Sequence, residues 1–371
     1  MFPAFAGNDF VYLNSGGSGP PSHETISAMR AADDLFFGPV YHEGIGLFVR
    51  QAEENARARD AAARLVGAEP DDVALTQNTT HGMNLGYYAI DWKPGDAIVS
   101  TTTEHPGCLV PIHALQKRFG VEMKLVAPPV TPEKIAAALT PRTRLISLSH
   151  VDWTTGEVLP LTEICTLARE RGVLTLVDGA QSVGNIPVDI PATGADMYAF
   201  TGHKWVLGPE GIGAFHVRPG LPAHSPNVGY ASVSEATPFD VNGDYDLRPD
   251  ARRFEASTVS PTLAAGFAAA ADAVREHGEE GFAEIRRRAD LLMDLISELP
   301  RITIRSPRPA QSGLVSFEIE GVVAKKAVER LLEQRFVVRF IPDPNPYVRI
   351  STHLFNTEEE LEALAWAVAE L

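Results

Sequence analysis

The sequence predicts an α/β fold, with a mainly parallel central sheet in a large domain and a small α+β domain at the C-terminal end, and three observations carry that prediction. From about residue 73, short apolar, β-branched runs alternate with longer helical patterns, the signature of βαβ units. Between 221 and 250 that rhythm gives way to a stretch rich in Pro, Asn, Asp and Gly. Beyond an Ala-rich helical run at 261–277, helix and strand patterns resume in a shorter unit of about a hundred residues.

Two helical patterns, 23–37 and 47–66, precede the sheet; the second is rich in Ala, Arg and Glu, strong helix formers. Strands follow at 73–77, 97–101, 123–127, 144–151, 174–178, 197–200 and 213–217, with helices at 80–90, 105–119, 131–139 and 161–171 between them. Thr131-Pro132-Glu133 is a complete helix start: a capping hydroxyl, a proline in the first turn and an acid near the positive end of the dipole. The C-terminal unit reads as helix 280–299, strands 302–305 and 314–320, helix 323–334, strands 336–341 and 347–351, and a closing helix from 357.

Composition removes several function classes. With 371 residues, 44% apolar and 22% charged, the chain has the length for about two to three domains and for a core that needs no staples. Its formal charge of −16 argues against a general nucleic-acid or anionic-membrane binder, so any anionic ligand must be held by a local site. No apolar run approaches the roughly 20 residues needed to cross a bilayer, and the opening MFPAFAGNDF has no basic flank before an apolar core, so no secretion signal is expected. Two cysteines, Cys108 and Cys165, make neither a disulfide framework nor a four-thiolate metal site, and a cytoplasmic, reducing location is expected.

The residues that carry chemistry fall at the carboxyl ends of predicted strands. Lys204, in Thr201-Gly202-His203-Lys204-Trp205, stands where open α/β sheets bind ligands, and a lysine there can form a Schiff base with an aldehyde cofactor. Thr201 and His203 flank it with groups able to hold phosphate oxygens. Asp178 closes the strand before, followed by Gly179, Ala180 and Gln181; no cluster of His and acids at ligand spacing follows it, so no metal is expected, and a carboxylate that pairs with a protonated pyridine ring fits better. Thr79 and Thr80 open the helix after the first strand, where amides and hydroxyls make a phosphate cradle. His105, after the next strand, offers a planar ring to stack on a flat cofactor. Arg349, alternating with Val348 and Ile350, fits either a surface ion pair or a bidentate grip on a carboxylate. Neither GxGxxG nor GxxxxGK[ST] follows a predicted strand, and GPEGIG precedes one, which disfavours a nucleotide site.

With these residues assembled, the chain resembles the class V aminotransferase superfamily of fold-type I pyridoxal-phosphate (PLP) enzymes, from Tyr12-Leu13-Asn14-Ser15-Gly16-Gly17 to Arg349. The specific motifs are VDGAQSVG (177–184) and TGHKWVLGPEGIG (201–213). The resemblance implies a large PLP-binding domain over 15–255 and a small domain over 256–371 joined by residues 1–14. It implies Lys204 as the Schiff-base lysine, Asp178 as partner of the pyridine nitrogen, His105 as the stacking ring and Gln181 facing the phenolic oxygen. Thr79, Thr80, Thr201 and His203 would hold phosphate. Arg253-Phe254-Glu255-Ala256-Ser257-Thr258 is similar to a segment whose threonine reaches the neighbouring subunit's phosphate, which implies a homodimer with Thr258 in the partner's site. Arg349 would grip the α-carboxylate of a small amino-acid substrate.

Two departures narrow the reaction. Cysteine desulfurases of this group carry a catalytic cysteine shortly before the carboxylate-binding arginine, whereas the stretch from Phe340 to Pro346 has none. Trp153, in Asp152-Trp153-Thr154-Thr155-Gly156, occupies a position where many relatives have asparagine, resembles the cysteine/cystine C–S lyases and joins the substrate-binding set. The expected reaction is β-elimination, giving pyruvate, ammonia and a sulfur product. The alternatives are transamination, epimerisation, a cysteine desulfurase or selenocysteine lyase activity, and a non-catalytic scaffold retaining the fold.

Overall fold

In the computed structural model, which describes residues 2–7, 9–38, 41–42 and 44–371, the chain begins with a two-residue strand, β1 (Val11–Tyr12), and two helices, α1 (His23–Phe36) and α2 (Gly46–Leu65). Met1 and Asn8 of the stretch 1–14 lie outside the described residues. Then comes the alternation: β2 (Val73–Thr76), α3 (Thr79–Tyr88), β3 (Ala97–Thr101), α4 (Pro106–Phe119), β4 (Glu122–Val126), α5 (Pro132–Ala138), β5 (Thr143–Ser149), α6 (Leu161–Glu170), β6 (Leu174–Asp178), the short α7 (Ile190–Thr193), β7 (Met197–Thr201) and β8 (Gly213–Val217). These strands form a seven-stranded sheet in the order β2-β8-β7-β6-β5-β3-β4. Only β8 runs against the others, since it pairs antiparallel with both β7 and β2. Every residue of β2, β3, β6 from Thr175 onward, β7 and β8 is buried, as expected for a sheet covered by helices on both faces. Two buried apolar clusters fill those layers, one around Val99, Ile146, Val177 and Phe200, the other around Ile98, Leu145, Leu176 and Phe215.

The local signals hold up at the helix starts. Thr131 Oγ1 accepts from the Lys134 amide, with Pro132 in the first turn of α5. Asn78 caps α3 by accepting from the His81 amide at 2.9 Å, and His105 caps α4 through Nδ1, which accepts from the Gly107 amide at 3.0 Å.

Past the loop region, α8 (Pro261–Ser297) is broken at Gly278, whose φ of 53° is non-helical, so the two patterns at 261–277 and 280–299 are two helical arms meeting at one residue. A four-stranded antiparallel sheet follows in the order β12-β13-β10-β9, from β9 (Ile302–Ile304), β10 (Leu314–Ile319), β12 (Arg339–Phe340) and β13 (Val348–Ser351). α9 (Ala324–Glu333) and α10 (Glu358–Ala369) cover it around Phe317, Val315 and Leu361. The run read as one strand at 336–341 divides. β11 (Phe336–Val337) pairs in parallel with β1, while β12 turns to pair with β13. The N-terminal residues are thereby stitched into the C-terminal unit: Leu13 donates to Val337 O at 2.9 Å and accepts from the Ser351 amide at 2.8 Å.

Candidate active site

Strand order makes the site. After β3 the chain goes outward to β4 and returns to the other side of β3 as β5, so the connections diverge between β3 and β5, and a crevice opens at their carboxyl ends. His105 follows β3 and Trp153 follows β5, and their rings meet edge to face across that crevice, centroids 4.9 Å apart and planes at 84°. Asp178 ends β6 and Lys204 lies three residues beyond β7, both on the same edge.

Burial and charge tune these groups. Burial, with the Arg349 and Arg339 guanidinium groups adding repulsion and Asp178 opposing it, lowers the Lys204 ammonium to about 8. His105 is pushed down to about 4, chiefly by burial and then by Lys204, so its ring is neutral; with Nδ1 accepting from Gly107, the proton sits on Nε2. Asp178 Oδ1 accepts from the Ala180 amide at 2.8 Å and Oδ2 from the Cys108 thiol at 2.9 Å. Gln181 bridges two elements: its amide donates to Gly16 O and its Oε1 accepts from the Trp205 indole, each at 2.8 Å, leaving one N–H for a ligand.

The phosphate candidates divide. Thr79 opens α3, and its buried Oγ1 has no partner. A buried hydroxyl at a helix start, beside first-turn amides without intrahelical acceptors, is suited to an anion. Thr80 is exposed beside the start of α4; a Cβ added to Gly107 would come within 2.6 Å of its Oγ1. Thr201 Oγ1 and His203 Nδ1 are bonded to each other at 2.7 Å. Thr258 stands apart from these contacts, its hydroxyl bonded at 2.6 Å to the exposed Tyr230. The segment leading to it is anchored by Glu255, which pairs with the buried Arg59 at 3.0 Å and accepts from the Leu75 amide at 2.8 Å.

Arg349 is fully buried, 0% exposed, which excludes a surface ion pair. Nη1 donates to Trp153 O at 2.9 Å, while Nε and Nη2 have no acceptor. Buried guanidinium nitrogens without acceptors are costly to keep, and a carboxylate is a group that could satisfy both at once. Trp153 O is aimed by the turn 152–156, where Asp152 Oδ1 accepts from the Thr154 and Thr155 amides at 2.7 and 2.9 Å. Gly16 closes the cradle. A Cβ there would lie 2.8 Å from Ser351 Oγ, 3.0 Å from Gln181 Oε1 and 3.1 Å from Arg349 Nη2.

Sequence reasoning gave no role to Arg339 or Glu104, and read Cys108 only as lying close enough after His105 to approach the site without matching the desulfurase position. Arg339 lies directly opposite Arg349 in the β12–β13 register and repels both Lys204 and His105. Among the described residues, no hydrogen bond or ion pair engages it. Nothing in the run 336–341 marked it, because the split of that run is set by β1. Glu104, itself buried in the turn before His105, accepts from Thr101 Oγ1, the Ser149 amide and Ser149 Oγ, at 2.8, 3.0 and 2.6 Å, and ties the ends of β3 and β5 together; burial raises its carboxyl to about 7. Cys108 reaches Asp178 although seventy residues separate them in sequence.

Among the described residues, no group of three or more His, Cys, Asp or Glu is placed to hold a metal ion, and no helix is long and apolar enough to cross a membrane. The sequence profile of the family described as aminotransferase class-V matches residues 11–364. Isopenicillin N epimerase of Streptomyces clavuligerus is 29% identical, covering 97% of this chain and 94% of that protein. A cysteine desulfurase of Haloferax volcanii is 31% identical, covering 96% and 88%. The solved structure of the cystine C–S lyase C-DES with its reaction product, cysteine persulfide, superposes with a TM-score of 0.92 at 31% identity over the whole of both chains. A mutant of C-DES with glycine covalently linked to its PLP cofactor superposes equally well.

Proposed function

The chain belongs to the class-V aminotransferase family, and from that premise we propose that this PLP-dependent enzyme is a C–S lyase, eliminating sulfur from the β-carbon of cystine- or cysteine-type amino acids. The observation that carries this reading is where the thiols are. Cys108 and Cys165 are free and buried, 1% exposed each, with burial holding Cys165 up at about 12 and Cys108 well above the ordinary thiol range. The loop beside Arg349 has no cysteine. A persulfide-forming nucleophile is thus missing where a desulfurase needs one, whereas β-elimination needs none.

The residues present fit PLP. The orphaned Thr79 hydroxyl and the start of α3, with Thr201, His203 and the less enclosed Thr80, would hold the phosphate. Asp178 would face the pyridine nitrogen, Gln181 the phenolic oxygen and His105 the ring, with Lys204 as covalent anchor. When bound, PLP supplies the electron sink that makes an amino acid's α-proton removable. Arg349 takes the substrate carboxylate on Nε and Nη2 while Nη1 stays on Trp153 O, which fixes the α-carbon beside Lys204. Lys204 Nζ removes the α-proton, helped by an ammonium held near 8. The electron pair from that C–H bond forms the Cα–Cβ double bond as the Cβ–S bond breaks, and the sulfur leaves with its electrons. The aminoacrylate released hydrolyses to pyruvate and ammonia. Arg339, a second guanidinium opposite Arg349 and without a partner among the described residues, favours a substrate with a second anionic group, as cystine has.

With cystine or cysteine, pyruvate is expected to form in step with the sulfur product. Alanine as the main product refutes the lyase reading in favour of a desulfurase, and a racemised amino acid with no sulfur released favours epimerisation.

The homodimer implied by the family resemblance is also proposed. Its support is a set of exposed apolar side chains, Phe37, Ile45 and Phe48 on one stretch and Tyr230, Phe239 and Val241 on the other, the last 93% exposed. Thr258, close to Tyr230, would then serve the partner's phosphate. A native solution mass of a single chain contradicts this. Two free thiols support a cytoplasmic location.

A further inference from the structure

Cys108 has no part in the elimination derived above, yet it touches the most consequential carboxylate of the site. Its thiol is buried, and Sγ lies 2.9 Å from Asp178 Oδ2, a short contact for an atom as large as sulfur. The other oxygen, Oδ1, is fixed by the Ala180 amide at 2.8 Å. One donor per oxygen defines the plane of the carboxylate and leaves a lone pair on each for a further partner. The thiol itself is rigidly presented. It sits in the first turn of α4, where the Cys108 amide donates to His105 O at 2.8 Å and the Gly107 amide to His105 Nδ1 at 3.0 Å, so a single turn delivers the His105 ring and the Cys108 thiol to the crevice together.

We propose that Cys108 is a positioning residue, whose S–H holds the Asp178 carboxylate in the plane required to meet the pyridine nitrogen and draws off part of its negative charge. The inference rests on the PLP reading of the site. Although a thiol is a weak donor, a charged, buried acceptor strengthens the bond. Loss of the S–H would free the carboxylate to rotate and leave its charge undiminished, which weakens cofactor retention and stabilises protonated neighbours.

The test uses holoenzyme with Cys108→Ser, Cys108→Ala and Cys108→Val, read by the PLP dissociation constant and by the pH midpoint of the bound cofactor's visible absorbance. Serine keeps a donor, alanine removes it, and valine removes it while filling the volume. Alanine and valine are expected to weaken PLP binding roughly two- to tenfold and to move the midpoint upward, while serine stays within about twofold of wild type. Thermal unfolding of each apo form separates folding defects from these effects. Valine behaving as wild type while serine fails means that Cys108 only fills space and overturns the proposal, as do three variants all indistinguishable from wild type. Loss of turnover in all three with cofactor fully bound makes the thiol a reactant and overturns it also. A wild-type protein that takes up no PLP refutes the cofactor reading itself, and this inference with it.

Discussion

Lys204→Ala is expected to abolish turnover, by at least about a thousandfold, and to remove the visible absorbance of the PLP-loaded enzyme, while the protein stays folded. In the proposed reaction the lysine is both the covalent anchor and the base, so its loss removes two roles at once. Its side chain makes no hydrogen bond among the described residues, and burial already penalises its charge, so the fold loses little with it. Far-ultraviolet circular dichroism and the melting temperature check the fold; normal turnover in the variant would refute the assignment. The unsubstituted enzyme carries a matching pH signature. Since the Lys204 ammonium is lowered to about 8, the neutral amine that attacks an aldehyde becomes available as pH rises through that value. Capture of PLP by the apoenzyme should therefore accelerate with pH and level off above about 8. A rate independent of pH across that range contradicts a free, titrating Lys204.

Asp178→Asn is the second large effect. A neutral amide cannot keep a pyridine nitrogen protonated, and loss of such a charge-stabilising interaction costs on the order of 3 kcal/mol of barrier or more, about a hundredfold in rate. The variant should fold, because an asparagine carbonyl can still accept from the Ala180 amide and its NH2 can face the Cys108 sulfur, a weak acceptor. The direct measurement is solvent deuterium exchange at the substrate α-carbon. Exchange at the wild-type rate means that Asp178 does not hold the nitrogen.

Much of this was legible before the structure because it depends on short-range rules. Burial on both faces gives β3, β6 and β7 their continuous apolar character, strand ends place Asp178 and Lys204, and the gap between the helical patterns 261–277 and 280–299 falls at the break in α8. The rest depends on contacts between distant segments. A two-residue strand such as β1 has no periodicity to detect, yet its pairing with β11 splits the run 336–341 and brings Arg339 opposite Arg349. Arg349 itself was readable as a substrate grip or a surface ion pair, and only its burial with two idle donors separates these. Cys108 and Gly16 belong to the same class, since the partners that give them meaning lie 70 and 165 residues away.

The stitching of Leu13 between Val337 and Ser351 bears on how the molecule matures and how it is damaged. Gly16 and Arg349, walls of one cradle, are synthesised almost a whole chain apart. A nascent polypeptide can complete the central sheet, with Asp178 and Lys204 in place, well before the guanidinium exists to receive a carboxylate. Proteolytic nicking just before residue 15 would undo this join, because it cuts off β1, which pairs with β11, and Leu13, which accepts from Ser351 of β13; under the proposed function, cofactor uptake is expected to survive better than the hold on the amino acid.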